Sequence, residues 1–166
     1  MPGIAPGTAA PRDAVELAAV LADPAEVDTL LYGDDDDEAA EPELDLDKSW
    51  HGIHYLLTGT AWEIGDGAGA AILGGEEVGE DNGYGPARLV RPDAVRTIAG
   101  ALGAVDVQTL RARFDPQAMS AADIYPAIWA NGVEELDSYL MPNLAELRRF
   151  YEAAASNGQA VLLALT

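Results

Sequence analysis

Cysteine is absent from this chain. That absence removes disulfides, thiolate metal centres and cysteine nucleophiles together. Basic side chains are scarce as well: nine lysines and arginines stand against 29 aspartates and glutamates, a formal charge of −20. Nucleic-acid binding relies on cations that neutralise phosphates, so no nucleic-acid partner is expected. Anionic membrane surfaces are disfavoured for the same reason. No run of 18 apolar residues occurs, so no membrane-spanning helix is expected. The opening residues 1–7 lack the basic start and apolar centre of a secretory signal. A cytoplasmic protein is the expectation.

Several chemistries are missing their motifs. The four serines, Ser49, Ser120, Ser138 and Ser156, all lie outside any Gly-x-Ser-x-Gly elbow. No glycine stretch runs into the Gly-Lys-Ser or Gly-Lys-Thr of a phosphate loop. The carboxylates from Asp34 onward resemble the raw material of a calcium loop. Ala39 nevertheless sits at its turn-glycine position and Asp45 where the twelfth-position glutamate is needed. That stretch, residues 33–45, reads as a solvated acidic loop.

What is present suits one globular domain. The chain has 166 residues, 49% of them hydrophobic, enough for a single core and too few for two. Residues 1–11, small and interrupted by three prolines, read as a flexible N-terminal segment. Residues 12–166 read as the domain. Short helices are expected over about 12–21 and from Pro24 to Gly33. Leu46, Trp50, Ile53 and Leu57 recur at helical spacing, with Asp45 or Asp47 available as a cap and Gly59 as a stop. Ala70–Leu73 and Ala87–Val90 read as short strands. Helices are expected after Pro92, after Asp106 and from Val133 to Ala155, the last bent at Pro142. Ala160–Leu165, wholly apolar, reads as a central strand covered on both faces. Helices outnumber strands and do not alternate with them. The expected class is α+β, with several helices packed around a small mixed or antiparallel sheet.

Three stretches, in order along the chain, carry a resemblance. They are Leu46-Asp47-Lys48-Ser49-Trp50-His51-Gly52-Ile53-His54-Tyr55-Leu56-Leu57-Thr58-Gly59, Gly83-Tyr84-Gly85-Pro86-Ala87-Arg88, and Ile124-Tyr125-Pro126-Ala127-Ile128-Trp129. Together with the closing helix and strand, they resemble the YfbM-like family of bacterial proteins of unknown function. The resemblance covers roughly residues 12–166 and implies a single compact α+β domain, without supplying a reaction. Similar proteins begin with an apolar strand where this chain has prolines and glycines, which leaves the first strand open.

The candidate site centres on the two histidines. His51 and His54, with Asp47 one turn before, place metal-ligating groups on one helix flank. The set lacks the five-residue zinc-protease motif and a fourth ligand, so neither a metal nor a cofactor is expected. On the helical wheel His54 lies about 40° from Trp50 and His51 about 100°. His54 is therefore expected to be the more buried, and His51 to face a cleft or solvent. Glycines flanking Tyr84 can present its ring, and Arg88, one of nine cations, can clamp an anion or pair internally. Trp50, Trp62, Tyr84, Tyr125 and Trp129 can line a ligand-binding pocket with His51, His54 and Arg88, or can simply be core. No catalytic residue is assigned. The expected function is a non-enzymatic binding or protein-interaction domain, immunity-like towards a basic protein partner. The alternative is a small-molecule enzyme using His51 or His54 as acid/base with Arg88 as anion clamp.

Overall fold

A run of six apolar residues has nowhere to go but the middle of a sheet, and Ala160–Leu165 goes there. The computed structural model describes residues 7–12, 44–79 and 86–165. Its strands are β1 (Gly7–Arg12), β2 (Leu44–Asp45), β3 (Glu76–Val78), β4 (Ala87–Val90) and β5 (Ala160–Leu165). They form one antiparallel sheet in the order β2-β1-β5-β4-β3. Leu163 of β5 lies opposite Ala9 on one side and Arg88 on the other. Side chains alternate along β5. Val161 and Leu163 join the main core, while Ala160, Leu162 and Ala164 join Leu89 in a smaller cluster.

Two expectations are corrected here. The N-terminal segment expected to be flexible through residue 11 forms a strand from Gly7 onward. Proline is tolerated in a strand where one side is unpaired. Pro11 meets that condition, because β2 reaches only Thr8 and Ala9. The strand expected at Ala70–Leu73 is instead a 3₁₀ turn, Gly67–Ala70, followed by further turns. Gly74 N–H closes back on the Ala70 carbonyl at 3.0 Å. The hydroxyl of fully buried Tyr151 donates to Ala71 O at 2.6 Å. A four-residue apolar run cannot be told from a buried turn by pattern alone. Apart from Arg12, which ends β1, the helices expected over 12–33 and most of the acidic loop lie outside the described residues; the loop's last two residues form β2.

Helices cover the sheet: α1 (Trp50–Thr58), α2 (Pro92–Ala104), α3 (Val107–Arg113), α4 (Pro116–Ala121) and α5 (Met141–Ser156). Asp106 caps α3 by accepting Gln108 N–H at 3.0 Å, and Asp115 caps α4 by accepting Gln117 and Ala118 N–H. A helical turn, Val133–Glu135, and a π-helical stretch, Leu136–Leu140, lead into α5 without a break. The cause is local. In an α-helix the Pro142 ring would strike the carbonyl four residues earlier, at Ser138, and a widened turn gives it room.

α1 is buried on almost every side, Trp50 through His54 and Leu56 all being inaccessible. Neither Asp45 nor Asp47 caps it. A 3₁₀ turn, Asp47–Ser49, precedes it, and the Asp45 carboxylate accepts Asp47 N–H at 2.8 Å instead. At its other end Gly59, in the left-handed region at φ 76°, returns its N–H to Tyr55 O at 2.7 Å.

One glycine sets how closely α1 packs. A Cβ on Gly52 would meet Trp129 at 2.7 Å and Leu140 at 2.8 Å, both fully buried. On Gly100, in the exposed face of α2, it would meet nothing within 4 Å. The same substitution should therefore have opposite signs. Gly52→Ala should cost about 1–3 kcal/mol through overpacking, and Gly100→Ala should gain up to about 1 kcal/mol from helix propensity. Urea unfolding midpoints of the two variants check this, and two shifts of the same sign would refute it.

Candidate functional site

Burying α1 takes two imidazoles out of water, and each must find partners. His51 Nε2–H donates to Ala61 O at 2.9 Å, and its Nδ1 accepts Tyr125 N–H at 2.9 Å. These two bonds select the neutral tautomer protonated on Nε2. His54 Nε2–H donates to Glu63 O at 2.9 Å. The helix thus holds the following loop by two of its carbonyls. Thr60 Oγ1 secures that loop further by accepting Glu63 N–H at 3.1 Å.

Burial pushes the His51 pKa from 6.5 down to about 4, against the opposing pull of the Ala61 carbonyl. Burial lowers that of His54 too. The wheel-based expectation that His51 faces a cleft or solvent is corrected: His51 is 0% exposed and His54 1%. The wheel describes α1 alone, whereas the 60–65 loop folds back over the flank that carries both rings.

Aromatic rings frame His51. Trp50 stacks on it, centroids 4.7 Å apart and planes 13° apart, and Trp62 approaches at 4.5 Å and 41°. Trp129 donates its Nε1–H to Ile124 O at 2.7 Å. The buried Trp50 Nε1–H has no acceptor among the described residues. Trp50, His51, His54, Tyr125 and Trp129 therefore gather around α1 as one packed cluster. Tyr84 lies outside the described residues. Asp47 does not join the histidines: its carboxylate accepts the Tyr139 hydroxyl, which holds its pKa below the usual range. Among the described residues, no three His, Asp or Glu side chains are grouped to hold a metal ion.

Arg88 sits apart, on β4, paired with Glu77 at 3.4 Å. It borders a cleft with Trp62, Ile64, Ile72, Leu73, Pro86 and the end of β5. The cleft encloses about 170 Å³, close to the roughly 150 Å³ that holds one benzene ring and below the roughly 300 Å³ at which small-molecule pockets begin. Trp62 is the link, its ring lying against that of His51 while it also lines the cleft. Trp62 is among the aromatic residues expected to line a pocket, whereas Ile64 carries no motif of its own. The apolar-acidic-apolar order Trp62-Glu63-Ile64 was the available signal.

Every arginine between residues 86 and 165 is engaged. Arg88, Arg91, Arg96, Arg111 and Arg149 form ion pairs. Arg113 donates to Leu56 O and Leu57 O at 2.8 and 3.1 Å, at the C-terminal end of α1. Arg148 donates to Val105 O at 2.8 Å, just past α2.

The fold and this packed cluster define a small α+β domain with a five-stranded antiparallel sheet and a buried histidine helix. The chain belongs to the family described as Domain of unknown function (DUF1877), whose model matches residues 13–164. Among solved structures it is similar to YfbM from Escherichia coli, a protein of unknown function. The two share 23% sequence identity and a TM-score of 0.76, over 97% of this chain and 99% of that one. At that identity the likeness is one of fold. No curated protein matches the chain. No helix among the described residues is long and apolar enough to cross a membrane.

Two measurements check the histidine geometry. In an NMR titration the His51 imidazole should not titrate between pH 7 and 5 and should keep its proton on Nε2, while His54 should titrate below the usual histidine range; a His51 midpoint near 6.5 would mean a solvated ring. Because its folded pKa is depressed, the unfolded chain binds the proton first. Stability linked to His51, on the order of 3 kcal/mol, is intact above pH 6.5 and lost as pH falls toward 4. The ranking of alanine variants also reverses the wheel's. His51→Ala strands a carbonyl and an N–H, and should cost about 3–5 kcal/mol. His54→Ala strands one carbonyl and should cost about 2–3 kcal/mol. Denaturant melts with His54→Ala the more damaging would overturn this ranking.

Proposed function

We propose that this chain is a non-enzymatic binding domain that receives a basic protein partner on its acidic exterior, in the manner of an immunity protein. The observation that carries the reading is the employment of both histidines as scaffold. A general acid or base must exchange a proton with substrate. His51 has both ring nitrogens bonded to backbone, and His54 is buried with its Nε2–H on a carbonyl. The anion clamp of the enzymatic alternative, Arg88, is already paired with Glu77. The neighbouring cleft has room for one ring rather than a substrate with its catalytic groups.

The charge balance supports the kind of partner. With −20 overall and each arginine from 86 to 165 engaged, the field around the chain is negative and draws basic surfaces. A basic model protein should bind at about 20 mM salt and lose roughly tenfold or more in affinity by about 200 mM, as screening shortens the range of the field. An acidic protein of similar size should not bind. Calorimetry at the two salt concentrations measures this; affinity indifferent to salt, or equal capture of the acidic protein, would remove the proposal.

A further inference from the structure

Trp62 and Ile64 are each 50% exposed, an arrangement that leaves two large apolar side chains half in water within three residues. Their loop is not free to turn them inward. The carbonyls of Ala61 and Glu63 are held by His51 and His54, and the Trp62 ring rests 4.5 Å from that of His51. A side chain held out in one position has already lost the freedom that binding would otherwise remove. Tryptophan in such a setting is the residue type that most often anchors an interface. Beside it opens the cleft of about 170 Å³, walled by Ile72, Leu73 and the end of β5, with space for one aliphatic or aromatic side chain.

The charges of the same loop decide what carries that side chain. Glu63 and Asp66 are exposed and make no ion pair among the described residues. The cation lining the cleft, Arg88, is bound to Glu77 at 3.4 Å. A lysine or arginine approaching the exposed Trp62 ring finds a π-system on a loop that also carries Glu63 and Asp66. An acidic group finds no free cation there. Resting on the reading of a basic partner, we infer that the Trp62–Ile64 cleft is where that partner docks. It takes one apolar side chain from a basic segment, with Trp62 as the anchor.

The test uses the full chain and two synthetic peptides, one of lysines and small polar residues, the other identical but for a central phenylalanine. Trp50 and Trp129 are fully buried, so acrylamide quenching of tryptophan fluorescence reports on Trp62. The phenylalanine peptide should bind about tenfold tighter than its parent, the effect of one anchor contact, and should shield Trp62 from quencher. Trp62→Ala and Ile64→Ala should each bring its affinity down toward that of the parent peptide, and Ile64→Ala should leave the parent's own binding unchanged. Ile64→Ala leaves the contacts of His51 intact and guards against a folding artefact. Equal, salt-sensitive binding of both peptides with Trp62 still quenched would overturn the docking site while leaving the acidic-surface reading standing. Tighter binding of a glutamate-rich phenylalanine peptide would assign the cleft to Arg88 and overturn it as well. Binding of neither lysine peptide would remove both readings.

Discussion

The bonds from two imidazoles to backbone carbonyls are the constraint on which the rest of this structure depends. A helix as buried as α1 is ordinarily apolar all round. This one carries His51 and His54 into the core, and an unpaired imidazole there would cost several hydrogen bonds' worth of free energy. The cost is met by chain that lies far away in different senses. Ala61 and Glu63 come from the next loop, and Tyr125 N–H comes from 74 positions further on. Satisfying the histidines therefore fixes the loop, the 124–129 segment and the helix against one another.

The cations are distributed by a related logic. In a chain so short of positive charge, arginines could have been spent wholly on its carboxylates. Two of them, Arg113 and Arg148, are placed instead on main-chain carbonyls at or just past helix ends. There the guanidinium meets both an unpaired acceptor and the negative end of the helix dipole. The surface keeps its surplus of carboxylates as a result, and the packing of α1 and α2 gains partners that do not depend on the ionisation of any acid.

Much of the fold could be read from residue patterns. The helix starts at Pro92 and Asp106 follow from capping chemistry that acts within three or four residues, and β5 follows from an unbroken apolar run; the short helix capped by Asp115 was missed, because Asp115-Pro116 reads equally as a break. The strand at Gly7–Arg12 was hidden because its propensity is poor and its stability comes from β5, some 150 residues away in sequence. The site was legible in part. Trp50, His51, His54, Tyr125 and Trp129 do lie together, but periodicity within α1 carries no trace of the loop that folds over it, so the burial of His51 was not visible. The widened turn at Leu136–Leu140 could be sensed only as a conflict between helical spacing and Pro142.

The central place of β5 bears on the order in which the molecule can be assembled. β1 and β4 share no ladder with each other; each pairs with β5. On a ribosome the two leave the tunnel well before the strand that joins them, with open edges of the kind that invite pairing with other chains. Helices α1 to α4 can form meanwhile from local contacts. The sheet must wait for the closing strand, whose contact with β1 spans nearly the whole chain and carries the entropic cost of so long a loop. Until then there are two separate strand edges and no common sheet, so the sheet is completed by β5, the last of its five strands in chain order.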